Sequence, residues 1–145
     1  MSAFLSVAEY LPHDPPMVLL DSVLAKEDGV VTCAVTLRDG AAFVSDGRLS
    51  AVVTLEYMAQ AAGVFAGIEA KARRESIRWG FLIGCSELLL AVDALVVGDA
   101  LVVSAKRVWG DARLGQFECL VTRADQRIAS ATLNVAQADI GEIPA

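Results

Sequence analysis

The sequence is sparing with the residues from which reactive centres are usually built. Of its 145 residues one is histidine, His13, and three are cysteine, Cys33, Cys85 and Cys119. The cysteines are odd in number, far apart and set in apolar segments without a Cys-x-x-Cys pair. That pattern speaks against a disulfide framework or a metal site and marks them as small buried hydrophobes. Cations are scarce as well: 12 Lys and Arg against 18 Asp and Glu leave a formal net charge of −6. Nucleic-acid binding needs a wide face of clustered Lys and Arg to neutralise phosphates, so that class is excluded. No basic segment followed by an apolar stretch opens the chain, so no secretory signal is expected and the expected compartment is the cytoplasm. There is no internal repeat and no low-complexity tract. With 55% hydrophobic and 21% charged residues, the composition excludes disorder and fits a single globular domain over 1–145.

What the chain does have is one long apolar stretch, Ser50 to Ile68. Ser50 is a suitable N-cap, since its hydroxyl can accept a bond from a free N–H of the first turn, and strong helix formers follow. The spacing predicts a helix that runs on into Glu69–Arg74, where cations complement the dipole. Val52, Leu55, Met58, Ala59, Ala62, Phe65 and Ala66 cover more than the stripe of a surface helix, so the helix is expected to be buried. Leu49 to Ile68, with Gly63 and Gly67 in small-xxx-small spacing, is also long enough to cross a membrane. Glu56 near mid-span would be costly there, by analogy with about 2.5–3.5 kcal/mol for Asp, and Gln60 adds to it. No membrane span is therefore expected. Glu56 and Gln60, four residues apart, share one helix face. An unpaired buried carboxylate is expensive, so Glu56 needs either a partner or a task. The plain structural alternative is an anion that complements the dipole near the helix start.

The flanking segments read as strands. Phe4–Tyr10 suits a short helix or turn, and Leu11-Pro12-His13-Asp14-Pro15-Pro16 is held extended by its prolines, so His13 is presented from a stiff segment. Imidazole is the side chain best suited to moving protons near neutral pH, although a lone His in a Pro-rich loop can simply be solvated. Met17–Leu24 and Val30–Leu37 flank a turn at Lys26–Gly29 and predict a hairpin. After the helix, strands are expected over Trp79–Ala91, Ala100–Trp109, Leu114–Arg123 and Arg127–Gln137, with turns at Gly98-Asp99, Gly110-Asp111 and Ala124–Gln126. Phe117, Cys119 and Val121 should share one face, as should Ala129, Ala131, Leu133 and Val135. The economical α+β architecture is an antiparallel sheet wrapped around the helix, with Ala59, Ala62, Gly63, Ala66 and Gly67 letting the sheet approach closely.

This order of elements resembles the hotdog fold, and several motifs resemble one family within it. Leu11-Pro12-His13 followed by Met17-Val18-Leu19-Leu20-Asp21 is similar to the opening of the 3-hydroxyacyl-acyl-carrier-protein dehydratases. Glu56-Tyr57-Met58-Ala59-Gln60-Ala61 resembles their Glu-x-x-Ala-Gln helix signature, Gly80–Gly84 their next strand, and Gly98-Asp99-Ala100-Leu101 their Gly-Asp-x-Leu turn. The resemblance covers about Leu11 to Val135, most of a domain whose core is expected over about 11–137. Housekeeping members carry Gly-His-Phe-Pro and Pro-Gly before the helix, where this chain reads Phe43–Ser50. The branch associated with aryl-polyene biosynthetic clusters lacks that loop, and its Glu-Tyr-Met-Ala-Gln helix is closer.

The resemblance implies removal of water from a 3-hydroxyacyl thioester carried on acyl carrier protein or coenzyme A, without metal or organic cofactor. It implies His13 as the base for the proton alpha to the carbonyl. It implies Glu56 as the group that polarises or protonates the departing hydroxyl, with the two drawn from different subunits of a dimer. Such a dimer, or a larger assembly, could be of one chain or of two. Gln60 is the supporting side chain, and backbone N–H groups from Gly47 to Ser50, near the helix start, are the candidates for holding the enolate oxygen. An acidic carrier meeting an acidic protein needs a local positive patch, and Lys71, Arg73, Arg74 and Arg78 form the densest basic run, with Lys71 and Arg74 expected on one helix face. A hotdog thioesterase, using the helix carboxylate to activate water, and a non-catalytic acyl-binding or heterodimer subunit are the alternative readings.

Overall fold

The computed structural model describes residues 4–12, 17–111 and 113–138. A 3-10 turn, Val7–Glu9, leads into strands β1 (Ser22–Glu27), β2 (Val30–Thr36) and β3 (Arg48–Ser50). A second 3-10 turn, Ala51–Val53, feeds helix α1 (Thr54–Ala72), and strands β4 (Trp79–Leu90), β5 (Ala94–Val96), β6 (Ala100–Gly110), β7 (Leu114–Arg123) and β8 (Gln126–Ala138) follow. Six strands form one sheet in the order β1-β2-β6-β7-β8-β4, and β3 pairs with β5 in a two-stranded ribbon. Every pairing is antiparallel.

Alternation decides which face of the sheet meets the helix. Leu101, Val103 and Ala105 on β6, Phe117, Cys119 and Val121 on β7, and Ala129, Ala131 and Leu133 on β8 are all buried, as a period of two requires. Against them α1 sets Met58, Ala61, Val64 and Phe65, also buried. The Phe65 and Phe117 rings meet edge to face with centroids 5.5 Å apart, an arrangement favoured by their quadrupoles. Lys26 Nζ and the Arg107 guanidinium lie 4.5 and 4.8 Å from the Phe65 ring centre. Arg107 also forks onto Glu69, Nη1 to Oε1 and Nη2 to Oε2, the latter at 3.0 Å. Such a bidentate pair ties β6 to the last turns of the helix.

Several sequence expectations are corrected. The helix begins at Thr54 rather than Ser50. Ser50 belongs to β3 and its side chain makes no cap bond. The 3-10 turn supplies the first acceptors instead, and the Thr54 hydroxyl donates to the Ala51 carbonyl at 2.6 Å. Val52, counted among the buried positions, is 56% exposed. The stretch Met17–Asp21 is not part of β1, which starts at Ser22. Cys33 and Cys119 are buried as expected, whereas Cys85, on edge strand β4, is exposed. Burial pushes the Cys33 and Cys119 thiols up to about 12, which leaves them protonated and inert at neutral pH. α1 with its preceding turn is long and apolar enough to span a membrane, but its apolar faces are accounted for by packing: it is the core helix of the domain.

The small residues of α1 serve a different neighbour from the one expected. A side chain at Gly63 would strike Leu11 Cδ2 at 2.9 Å, and one at Gly67 would collide with the backbone and Cβ of Tyr10. The notch in the helix thus receives the N-terminal segment, not the sheet. The Tyr10 hydroxyl accepts the Leu5 N–H at 2.9 Å and fastens that segment to itself.

Candidate active site

The N-terminal segment, α1, β4 and β8 enclose an open groove of about 180 Å³. Its floor is the small-residue face of the helix, Ala59, Gly63, Ala66 and Ala70, and its walls are Leu11, Pro12, Ile77, Leu82 and Val135. Polar groups stand at its two ends. Glu56 and Gln60 mark the end near the start of α1, and Arg73 and Arg78 the end near its close, with Gln137 on β8. Along the helix axis, Glu56 and Arg73 are separated by about 25 Å at the rise of an α-helix.

Glu56 is half-buried, so the expectation of a fully buried carboxylate is modified: it borders the groove rather than the core. The Gln60 amide donates from Nε2 to Glu56 Oε1 at 3.3 Å and to the Met17 carbonyl at 2.7 Å, while its Oε1 accepts the Leu19 N–H at 2.9 Å. Tyr57, beside Glu56 in sequence, is buried on another face. Burial, and secondarily the charge of Asp21, pushes its phenol up to about 12, so it remains neutral.

His13 lies outside the described residues, but its flanks do not: Pro12 lines the groove with Glu56, and Met17 is bonded to Gln60. Gly47 and Ser50 are not brought to the groove. Both belong to the β3–β5 region, where the Gly47 carbonyl accepts the Val97 N–H at 3.0 Å, Ser50 pairs with Ala94, and the N–H of Ala51 goes to the Asp93 carbonyl at 2.9 Å.

The basic run divides. The helix closes with the Arg74 N–H on the Lys71 carbonyl and the Glu75 N–H on the Ala70 carbonyl, at 3.0 and 2.8 Å, and Arg74 takes a left-handed backbone with φ 60°. This is a Schellman stop with arginine where glycine is usual. Lys71 and Arg74 therefore do not share a helical face as expected; both are exposed. Arg73 and Arg78 line the groove, and Glu75 lies 3.2 Å from Arg73 Nε and 3.8 Å from Arg78 Nη2. Among the described residues no group of three or more His, Cys, Asp or Glu is gathered to hold a metal.

Groove residues that the sequence did not announce include Tyr10, Ala70, Ile77 and Gln137. Only the Gly63 and Gly67 spacing hinted that a segment would lie across the helix there.

A long helix packed on one antiparallel sheet, with a carboxylate on its open face, is the architecture of the hotdog fold. Solved hotdog proteins of low identity share it: a hypothetical thioesterase with coenzyme A from Streptococcus pneumoniae superposes with a TM-score of 0.61 at 13% identity, over 81% of this chain and 85% of that one. The family is narrower than the fold. Residues 5–144 match the ApeP-like family, described as ApeP dehydratase, and the chain belongs to it. It is similar to a chain of the dehydratase heterocomplex ApeI:P from Xenorhabdus doucetiae, with a TM-score of 0.91 and 34% identity over 96% of this chain and 95% of that one. It is also 27% identical over 144 residues to the 3-hydroxyacyl-[acyl-carrier-protein] dehydratase FabZ of Psychrobacter arcticus, covering 91% of this chain and 94% of that protein.

Proposed function

We propose that this chain is a cytoplasmic dehydratase acting on 3-hydroxyacyl thioesters carried on acyl carrier protein, in biosynthesis of the aryl-polyene type. The observation that carries the proposal is the meeting at one groove of Glu56 with both flanks of His13, Pro12 by lining it and Met17 through Gln60. His13 takes the proton alpha to the thioester carbonyl. Glu56 holds the beta hydroxyl and gives it a proton as the carbon–oxygen bond breaks, so that water and the 2,3-unsaturated thioester leave.

A groove of about 180 Å³ is small beside the roughly 300–1,000 Å³ of most small-molecule sites. It also opens beside β4, at the edge of the sheet. Both facts favour a site completed by a second hotdog subunit, and the similarity to a chain from a dehydratase heterocomplex keeps a non-identical partner in the proposal beside a homodimer. Arg73 and Arg78 at the far end of the groove, with Lys71 and Arg74 exposed beside them, are the proposed contacts for the phosphate or acidic surface of the carrier. Reversing the charge of Lys71 and Arg74 is expected to weaken carrier binding and flatten its salt dependence, leaving a short free thioester unaffected. Equal losses on both substrates would remove the docking role.

The deciding experiment is mass spectrometry of a panel of 3-hydroxyacyl carrier-protein substrates after incubation with the protein. Loss of one water is expected. Release of the acyl group would make it a thioesterase, and no change for the chain alone, with turnover restored by a partner, would make it one half of a heterodimeric enzyme.

A further inference from the structure

Gln60 is 1% exposed, and every hydrogen-bonding valence of its amide that matters is used. Its carbonyl Oε1 accepts the Leu19 N–H, one amide hydrogen goes to the Met17 carbonyl, and the other to Glu56 Oε1. Met17 and Leu19 are alternate residues, so their backbone groups face the same edge of the segment, as in a strand. The side-chain amide thus does for Met17–Leu19 what a neighbouring strand would do, offering one acceptor and one donor in register. This explains why an apolar segment outside β1 is nonetheless held against the helix. The remaining hydrogen reaches one oxygen of a carboxylate four residues earlier on the same face. Among the described residues, no side chain or backbone group donates to the other oxygen, Oε2.

We infer that Gln60 is a positioning residue that couples the two halves of the site. It fixes the segment following residues 13–16 at the helix surface, and with the same amide turns Glu56 so that Oε1 is held and Oε2 is the oxygen offered to substrate. The inference rests on the dehydratase reading for what Glu56 does, but not for the clamp itself. An apolar replacement of similar size leaves the Met17 carbonyl, the Leu19 N–H and Glu56 all without their partner.

The test is Gln60→Met, with steady-state kinetics on a 3-hydroxyacyl carrier-protein substrate and amide hydrogen exchange at Leu19. Loss of a charge-assisted bond that acts in the transition state predicts a fall in kcat of roughly ten- to hundredfold, with KM changed by less than about threefold. The Leu19 N–H should exchange much faster, while amides of β6 and β7 keep their protection. In a Glu56→Gln background, Gln60→Met should cost less than about threefold more, because the two act as one unit. An unchanged kcat, or effects that simply add, overturns the positioning role even if Glu56→Gln abolishes turnover. If Glu56→Gln leaves turnover intact, the dehydratase reading falls with it. Two measurements hold even if Gln60→Met does not fold. In the unaltered protein the Leu19 N–H should be protected like the core strands, and Glu56→Gln should shift the Gln60 side-chain amide protons in NMR spectra without speeding exchange at Leu19. Fast exchange at Leu19, or an unmoved Gln60 amide, overturns the clamp.

Discussion

The two faces of α1 are built on opposite plans. Toward the sheet it presents Met58, Ala61, Val64 and Phe65, side chains of different sizes that interlock with Phe117, Cys119 and Val103. Toward the groove it presents Ala59, Gly63, Ala66 and Gly67, flanked by Glu56 and Gln60. The first face stabilises the fold by burying apolar area, at about 25 cal/mol per Å². The second gives up that area: its small residues admit the N-terminal segment and leave a trough, and its polar residues are committed to specific partners. One helix therefore supplies stability from one side and, in the proposed reading, chemistry from the other. Substitutions on the two faces should separate these quantities.

The largest effect is expected on the packed face. Phe65→Ala should cost about 3–5 kcal/mol of stability, read as a shift in denaturant midpoint, with the activity of the remaining folded protein largely kept. On the open face the order reverses. Glu56→Gln and His13→Ala should each lower kcat by roughly 100-fold or more while the midpoint moves little. A homodimer also allows a finer distinction: mixing the two inactive variants should restore nothing if the pair forms within one protomer, and recovery of activity would show that it is shared between two.

The notch gives an intermediate case. At Gly67 an added Cβ would lie 2.8 Å from Tyr10 Cβ and 2.9 Å from its carbonyl carbon, and backbone cannot give way cheaply. Gly67→Ala is expected to cost about 1–3 kcal/mol and to displace the segment that carries His13, lowering activity as well. Gly63→Ala meets only the end of the Leu11 side chain and should cost less on both measures. If the two glycines tolerate alanine equally, the segment does not lie in the notch.

The smallest effect at neutral pH concerns the thiols. Cys85 should react with a thiol reagent in the native protein, whereas Cys33 and Cys119 should not. At high pH the buried groups become visible. Their thiols rise from 9.0 to about 12 on folding and the Tyr57 phenol from 10.0 to about 12, so the unfolded chain loses these protons first. Their contribution to stability is fully present below about pH 9 and should be lost as pH climbs from 9 toward 12. A denaturant midpoint that is flat over that window would contradict their burial.

The packed face was the legible one. Alternation over β7 and β8 marked the inward residues correctly, and the apolar breadth of Met58 to Phe65 marked a core helix, because both signals come from burial alone. The open face was legible only in its residue types: Glu56 and Gln60 stood out as polar side chains on an apolar rod. Their partners did not, because a side-chain amide that takes the place of a strand leaves no periodic trace in Met17–Asp21. The strands β3 and β5, three residues each, were too short for alternation to register: the end of β3 was absorbed into the helical stretch and β5 was not expected. Ser50 fitted an N-cap by residue type, but a 3-10 turn can satisfy the first N–H groups with backbone carbonyls, and composition does not separate the two. Cys85 was misjudged because hydrophobicity marks a side chain that prefers to be covered without saying by which chain.

The edges of the sheet carry a consequence for how the protein is made. Strand β1 ends the sheet on one side with six residues, a bulge between Val23 and Ala25, and Lys26 and Glu27 at its end; such an edge resists pairing with strangers. Strand β4 ends it on the other side with twelve residues and leaves Leu82, Ile83, Leu89 and Leu90 exposed. A ribosome releasing this chain without a partner at hand releases an adhesive strip, open to any strand that arrives first. Yield in soluble form, more than catalytic rate, should therefore depend on whether the proposed partner subunit, a second copy or a non-identical hotdog chain, is synthesised alongside.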